Sequence, residues 1–71
     1  MATTIDLGSR HLHGSKADGV LRVVLDRPER RNACTVEMYH GIKKAAVLAE
    51  RDPDVDVLLL TATGDVFCVG G

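Results

Sequence analysis

The residues best suited to chemistry stand at the end of the sequence, where the glycine pair Gly70-Gly71 follows a short apolar stretch that includes Cys68 and Val69. Glycine has no Cβ, so its backbone N–H can come close to a ligand oxygen. Fixed N–H groups that point at an oxygen gaining negative charge stabilise a transition state. A glycine pair taken alone is more typical of a turn than of a site. The residues around the pair must therefore decide between the two interpretations.

Two cysteines and three histidines are the other side chains that could react or bind metal. Cys34 and Cys68 fit no C-x-x-C or zinc spacing and have no evident basic neighbour. Each is expected to pack as a small apolar side chain, with a disulfide or a nucleophile as the alternatives. His11 and His13 would share one face of a strand, but no third ligand stands at a recognisable spacing. His40 falls off the apolar side of a helix, so the sequence predicts a surface histidine and no metal site.

Length and composition indicate part of a larger α/β protein. A chain of 71 residues buries a smaller fraction of its unfolded surface than a larger domain does, so its stability is marginal. With one Phe, one Tyr and no Trp, it also has few large side chains to anchor a tight core. Its net charge of −1 excludes a strongly basic nucleic-acid-binding surface. The longest apolar run, at residues 57–60, is too short for a membrane span. No secretory signal pattern opens the sequence, and a cytoplasmic location is predicted.

The pattern along the chain predicts a hairpin followed by a helix. An edge strand at residues 4–7 leads to a turn at residues 14–19, in which Asp18-Gly19 is typical of a tight hairpin corner. A largely buried strand at residues 20–25 is ended by Pro28. The helix begins after Thr35 as N-cap and ends at the Asp-Pro-Asp sequence of residues 52–54. Its predicted apolar stripe consists of Met38, Ile42, Ala45, Ala46 and Ala49.

A further strand is predicted at residues 55–61. Its apolar run is typical of a central strand that is covered on both faces. A strand, a helix and a second strand in this order predict a crossover between parallel strands. Open α/β sheets bind ligands at the turns that follow the carboxyl ends of such strands. The segment that leads to Gly70-Gly71 is such a turn, and the sequence ends where a site is expected to begin.

Two segments form recognisable motifs, residues 23–33, VVLDRPERRNA, and residues 57–71, VLLLTATGDVFCVGG. The first is similar to a strand followed by LNRPExxNA, and the second to LTGxGxxFCAGx. These two patterns are those of the enoyl-CoA hydratase/isomerase family, also called the crotonase family, which the chain therefore resembles. The two motifs occur in order with one amphipathic helix between them. Residues 19–71 therefore form the family-matching segment, and residues 1–18 a variable leader and turn.

Four positions depart from the family pattern. Asp26 stands where asparagine is usual, Cys34 where leucine is usual, Ala62 where glycine is usual and Val69 where alanine is usual. Asp26 is expected to alter a hydrogen bond in its loop. Val69 is expected to add bulk beside the site where, by the resemblance, the thioester of the substrate would bind. These departures leave family membership intact and substrate choice open.

The resemblance implies a fold and a site. The fold is α/β, the N-terminal portion of a crotonase-like ββα spiral (hairpin, helix, strand), with residues 1–71 incomplete as a domain. The N–H of Gly71 would donate to the thioester oxygen in an oxyanion hole, and Gly70 would set the turn. Cys68 and Val69 would lie beside the acyl-CoA.

The first motif is implied to carry the coenzyme A part of the substrate. Backbone groups near Ala33 would meet the adenine or pantetheine. Arg30 and Arg31 would face phosphates, to which guanidinium groups bind in a bidentate manner. The alternative for each arginine is solvated surface charge. Asn32 is expected to hold the loop through backbone groups and not to touch the ligand.

The implied function is that of an acyl-CoA lyase or isomerase of lipid and fatty acid metabolism, most simply an enoyl-CoA hydratase that adds water to a 2,3-enoyl thioester. No cofactor is implied beyond the coenzyme A of the substrate, and family members are homo-oligomers, trimers or hexamers. The second oxyanion donor and the acid/base carboxylates lie beyond residue 71, so the chain alone is predicted to be inactive.

The alternative is a non-catalytic truncated product, which binds a partner or a full-length relative through its sheet or is a relic. Both hypotheses predict exposed apolar faces at residues 20–25 and 55–61.

Overall fold

Four strands form a single sheet in the computed structural model, which describes residues 2–69. The elements in chain order are β1 (Thr3–Ile5), β2 (Leu12–Ala17), β3 (Val20–Leu25), a 3-10 helix (Pro28–Arg30), α1 (Val36–Arg51) and β4 (Val57–Ala62). The sheet order is β1-β2-β3-β4, with β1, β2 and β3 antiparallel and β4 parallel to β3. The predicted crossover between parallel strands is thereby confirmed. None of the helices within residues 2–69 is long and apolar enough to span a membrane.

Strand β2 includes four residues for which the sequence predicted a turn. Residues 14–17 are small or polar, yet Gly14 pairs with Ile5 of β1 and with Val23 of β3. Only Asp18 and Gly19 form the corner, with φ angles of 52° and 81°. Two successive positive φ angles match the twist of the strands that a tight hairpin joins. The predicted turn at residues 14–19 is therefore wrong in its first four residues, because pairing on both sides outweighs local propensity.

Helix α1 begins where the sequence predicted. The Oγ1 of Thr35 accepts a hydrogen bond of 3.1 Å from the Met38 N–H, so Thr35 is the N-cap. Within the predicted apolar stripe, Met38 and Ala45 are buried, Ile42 and Ala49 are half-buried, and Ala46 is exposed. Gly41, which the stripe omitted, is buried instead. His40 is exposed, as predicted.

Replacing Thr35 by alanine is expected to destabilise the chain by about 1 kcal/mol, because the Met38 N–H loses its acceptor. Urea unfolding followed by the helical circular dichroism signal measures the change. Thr35→Ser is the matched control, since it keeps the hydroxyl, and its loss should be a small fraction of that value. Equal losses in the two variants would show that the hydroxyl does not act as a cap.

The core lies between α1 and one face of the sheet. Leu21, Val23 and Leu25 alternate along β3 and are at most 2% exposed, whereas Arg22 between them is exposed. Met38 and Ala45 of α1 are fully buried against the same cluster. This face of β3 is covered within the chain. The predicted exposed apolar face at residues 20–25 is therefore wrong.

Strand β4 is an edge strand in the sheet that residues 2–69 form. Val57, Leu59 and Leu60 are 51%, 42% and 38% exposed. The prediction of a central strand covered on both faces is wrong for this part of the chain. The prediction of exposed apolar side chains at residues 55–61 is confirmed.

An ion pair fixes the end of α1 to the sheet. Lys16 Nζ on β2 donates to Asp52 Oδ2 at 2.6 Å, and Asp52 is the C-cap of the helix. This hydrogen bond raises the pKa of Lys16 and lowers the pKa of Asp52. The pair therefore remains charged around neutral pH and links the C-terminal end of α1 to β2.

Candidate functional site

The two sequence motifs meet at the carboxyl ends of β3 and β4. Leu25 lies beside Ala62 in the parallel register, so the chain leaves both strands at the same edge of the sheet. Beyond that edge the Thr63 N–H donates to the Leu25 carbonyl at 2.9 Å. Two loops leave this edge: the first loop, residues 26–35, joins β3 to α1, and the second loop, residues 63–69, follows β4. A cavity of about 320 Å³ lies between them, lined by Pro28, Arg31 and Asn32 from the first loop and by residues 63–66 from the second. Open α/β sheets place their ligands at this edge.

Asn32 connects the two loops with its side-chain amide. Its Nδ2 donates to the carbonyls of Thr63 at 2.7 Å and Val66 at 2.6 Å, and its Oδ1 accepts from the Arg27 N–H at 2.8 Å. The residue is only 1% exposed. The prediction that Asn32 holds its loop is confirmed. The sequence did not show that its partners include the second motif, because those contacts span more than thirty residues.

The first loop has left-handed backbone geometry at Arg31 and Asn32, with φ angles of 53° and 59°. Residues other than glycine adopt this region rarely, and asparagine is among those that tolerate it best. Two backbone hydrogen bonds hold the conformation, from Arg31 N–H to the Pro28 carbonyl at 3.0 Å and from Asn32 N–H to the Arg27 carbonyl at 2.9 Å. The wall of the cavity is thus a fixed loop.

The two arginines predicted to face phosphates occupy different places. Arg31 is exposed and lines the cavity. Arg30 is also exposed, but it ends the 3-10 helix and does not line the cavity. Of the two, Arg31 is the better placed to meet a ligand between the loops.

The backbone of Ala33, predicted to meet the coenzyme A, already has partners within the protein. Its N–H donates to the Arg30 carbonyl at 3.0 Å, and its carbonyl accepts from Arg27 Nη1 at 2.9 Å. A carbonyl oxygen has two lone pairs, so it can accept a second hydrogen bond. A ligand contact at Ala33 would therefore use the oxygen and not the N–H.

Asp26 is the centre of a second polar group at the end of β3. Its carboxylate accepts from His13 Nε2 at 2.8 Å and from Thr63 Oγ1 at 2.9 Å, and its carbonyl accepts from His11 Nδ1 at 3.3 Å. The hydrogen bond from His13, followed by that from Thr63, lowers the pKa of Asp26. The Asp26 side chain is therefore an ionised acceptor that anchors Thr63. The expectation that aspartate alters a loop hydrogen bond relative to asparagine stays a prediction.

The prediction that the two N-terminal histidines lie on one strand is wrong for His11, which precedes β2. Both rings nevertheless contact Asp26, the His11 ring at its carbonyl and the His13 ring at its carboxylate. Residues 2–69 contain no group of three or more side chains suited to hold a metal ion.

The two cysteines lie together, Cys34 in the first loop and Cys68 in the segment that follows β4. Cys34 and Cys68 are half-buried and pack against the core, as predicted, and their Sγ atoms are 3.7 Å apart. Burial raises the pKa of the Cys34 thiol. The positive charge of Arg27 opposes this increase without overcoming it, so no basic neighbour brings the pKa of Cys34 below its ordinary value.

The residues predicted to lie beside the thioester and to donate to its oxygen stand at the end of the described segment and beyond it. Val69 is 54% exposed at the end of the described segment. Gly70 and Gly71 lie outside the described residues. Their assignment, and the roles of Cys68 and Val69 beside a thioester, stay predictions.

Comparison with known proteins agrees with the fold and the motifs. The model of the enoyl-CoA hydratase/isomerase family matches residues 15–71. A probable enoyl-CoA hydratase of Mycobacterium tuberculosis is 41% identical over 51 residues, which are 72% of this chain and 20% of that protein. Human enoyl-CoA delta isomerase 2 is 36% identical over 53 residues, 75% of this chain and 13% of that protein.

Solved structures of enoyl-CoA hydratases also resemble the fold of this chain. An enoyl-CoA hydratase from Mycobacterium avium subsp. paratuberculosis superimposes with a TM-score of 0.82 at 34% identity, over 86% of this chain and 25% of that one. A putative enoyl-CoA hydratase/carnithine racemase from Magnetospirillum magneticum gives 0.83 at 32% identity, over 89% and 25%. The chain belongs to the enoyl-CoA hydratase/isomerase family, and its strands and helix are part of the crotonase fold. It spans between an eighth and a quarter of the length of these four relatives.

Proposed function

We propose that this chain forms part of an enoyl-CoA hydratase, which adds water across the double bond of a 2,3-enoyl thioester. The observation that carries the proposal is the pair of hydrogen bonds from Asn32 to Thr63 and Val66, at 2.7 and 2.6 Å. They hold the loop predicted to bind coenzyme A against the segment that leads to the predicted oxyanion donor. A fixed geometry between the binding loop and the reacting carbonyl is what lowers the entropic part of a barrier.

Each loop has its own part in this proposal. Arg31, with Arg30 beside it, binds phosphate groups of coenzyme A, and the Ala33 carbonyl accepts from the nucleotide or the pantetheine. Cys68 and Val69 lie beside the thioester. The Gly71 N–H stabilises the enolate oxygen, with Gly70 setting the turn, and one such donor contributes about 2.7–4 kcal/mol. Coenzyme A is part of the substrate, and no other cofactor enters the proposal.

The proposal includes no acid or base from this chain, and the 71-residue chain alone is therefore inactive. Hydration needs a group that activates water and a group that protonates carbon. The Asp26 carboxylate is occupied by His13 and Thr63. Relatives of comparable similarity are named hydratases and isomerases, among them a trans-2-decenoyl-[acyl-carrier-protein] isomerase of Streptococcus mutans at 41% identity. The choice of hydration therefore rests on acid and base groups outside these residues.

Titration with coenzyme A and an assay with crotonyl-CoA test the proposal on the 71-residue chain. We expect binding without turnover. Arg31→Ala should weaken coenzyme A binding about tenfold, equivalent to roughly 1.4 kcal/mol. Arg51→Ala is the matched control, because Arg51 is exposed at the far end of α1, and it should bind like the unaltered chain. Equal losses in both variants would contradict the role of Arg31, and turnover would contradict the predicted inactivity.

The alternative is a non-catalytic product that docks onto a partner or a full-length relative. Its supporting observation is the exposed apolar edge strand β4, with Val57, Leu59 and Leu60. Co-elution of the chain with a full-length enoyl-CoA hydratase, combined with absence of coenzyme A binding, would favour this alternative. The cytoplasmic location and the trimeric or hexameric assembly stay predictions under either hypothesis.

A further inference from the structure

The Sγ atoms of Cys34 and Cys68 lie 3.7 Å apart although the residues are 34 positions apart in the sequence. Cys34 belongs to the first loop, directly before the N-cap of α1, and Cys68 to the segment that follows β4. Both side chains are half-buried and contact the core cluster. The two thiols are thus adjacent because the fold brings the two loops together.

Hydrogen bonds close to both cysteines maintain this approach. Arg27 Nη1 donates to the carbonyl of Ala33, the residue before Cys34. Asn32 Nδ2 donates to the carbonyl of Val66, two residues before Cys68. Each sulfur is therefore carried by a backbone segment that is anchored within two residues of it. A disulfide requires the sulfurs, now 3.7 Å apart, to approach to about 2.04 Å, a further movement of under 2 Å.

We propose that Cys34 and Cys68 form a reversible dithiol–disulfide site that a peroxide oxidises. One thiolate attacks the O–O bond of hydrogen peroxide, which gives a sulfenic acid and releases hydroxide. The second thiol then attacks the sulfenic sulfur, the S–S bond forms and water leaves. In total, two thiols and one hydrogen peroxide give one disulfide and two waters. A cellular dithiol or glutathione reverses the step by thiol–disulfide exchange.

The disulfide would link covalently the same two loops that Asn32 links by hydrogen bonds. Burial raises the pKa of Cys34, which keeps it mainly a thiol near neutral pH. This inference does not depend on acyl-CoA binding, since it rests only on the position of the two sulfurs.

Limited oxidation of the 71-residue chain with hydrogen peroxide tests the proposal. Peptide mapping without reductant should find a Cys34–Cys68 crosslink within single chains, with the loss of two hydrogen atoms in the mass. Among oxidised chains, the ratio of the intramolecular disulfide to sulfinic acid and interchain crosslinks should be at least about tenfold higher in native buffer than in guanidinium chloride, because the fold raises the effective concentration of one thiol at the sulfenic acid of the other. Asn32→Ala should reduce this advantage, because it releases the loops.

Single variants complete the experiment. Cys34→Ser and Cys68→Ser should give no intramolecular crosslink and should accumulate the sulfenic or sulfinic acid of the remaining cysteine. The comparison of native and denatured conditions needs only the unaltered chain, so it holds even if a variant folds poorly. An equal ratio of the intramolecular disulfide to other products in the two conditions, crosslinks only between chains, or independent oxidation of the two thiols to sulfinic acid would each overturn the proposal.

Discussion

Replacing Asn32 by alanine is expected to destabilise the chain by about 2–4 kcal/mol. The change removes three hydrogen bonds and leaves the Arg27 N–H and the carbonyls of Thr63 and Val66 without this partner. Alanine also adopts the φ angle of 59° less readily than asparagine does. Urea unfolding measures the total effect. Hydrogen exchange of the Arg27 amide, which should become much faster, measures the local one.

Asn32→Gly is the matched control for this prediction. Glycine accepts the left-handed backbone without strain but makes none of the three side-chain hydrogen bonds. We expect the glycine variant to be destabilised as well, with a loss of unfolding free energy about 1 kcal/mol smaller than that of the alanine variant. An alanine variant as stable as the unaltered chain, with normal exchange at Arg27, would mean that Asn32 does not hold the two loops together.

Gly41→Ala is expected to destabilise the chain by about 1–3 kcal/mol, the usual cost of overpacking. A Cβ at this position would lie 2.5 Å from Leu12 Cδ1 and 2.6 Å from the backbone oxygen of Leu7. The leucine side chain can rotate away, but the oxygen moves only with its backbone. Helix propensity acts in the opposite direction, because alanine is favoured over glycine inside a helix by up to about 1 kcal/mol. We expect the steric effect to prevail.

Ala46→Gly provides the control, since Ala46 lies in the same helix and is exposed. There, propensity acts without a steric contribution, and the glycine variant should be less stable by about 1 kcal/mol. Glycine is therefore expected to be the better residue at position 41 and the worse one at position 46. Urea unfolding of both variants checks the reversal of sign. A stabilised Gly41→Ala chain would show that the helix does not approach Leu7 so closely.

The features that the sequence predicted well are those in which a single local signal determines the structure. Thr35 as N-cap and the Asp18-Gly19 corner depend on side-chain and backbone chemistry within a few residues. Strand β2 was missed because residues 14–17 have weak local preference and take their conformation from pairing, residues 14–16 with strands on both sides and Ala17 with β3. The glycine inside α1 was a usable signal, since its cost in a helix calls for a close contact that repays it.

The candidate site was predicted in its parts but not in its connections. The two motifs identified the family and the loops. The hydrogen bonds from Asn32 to Thr63 and Val66, and the contact between Cys34 and Cys68, span 31 to 34 positions. No periodicity or spacing in the sequence reports such pairs. They exist because β3 and β4 run parallel and end at the same edge.

Because β3 and β4 run parallel, the connecting segments of the chain lie at two opposite ends of the sheet. The two ends are expected to differ in how well they tolerate inserted residues. At the opposite end from the loops, the Asp56 N–H donates to the Gly19 carbonyl at 2.7 Å, and the neighbouring Pro53 and Asp54 are exposed. Extra residues at Pro53 and Asp54 would extend into solvent. At the cavity end, one added residue between Thr63 and Val66 would displace the acceptors that the Asn32 amide reaches. One added residue between Asn32 and Cys34 would disturb the hydrogen bonds of the Ala33 backbone to Arg27 and Arg30. Insertions among relatives should therefore occur in the turn between α1 and β4, at Pro53 and Asp54, and be absent from the two loops.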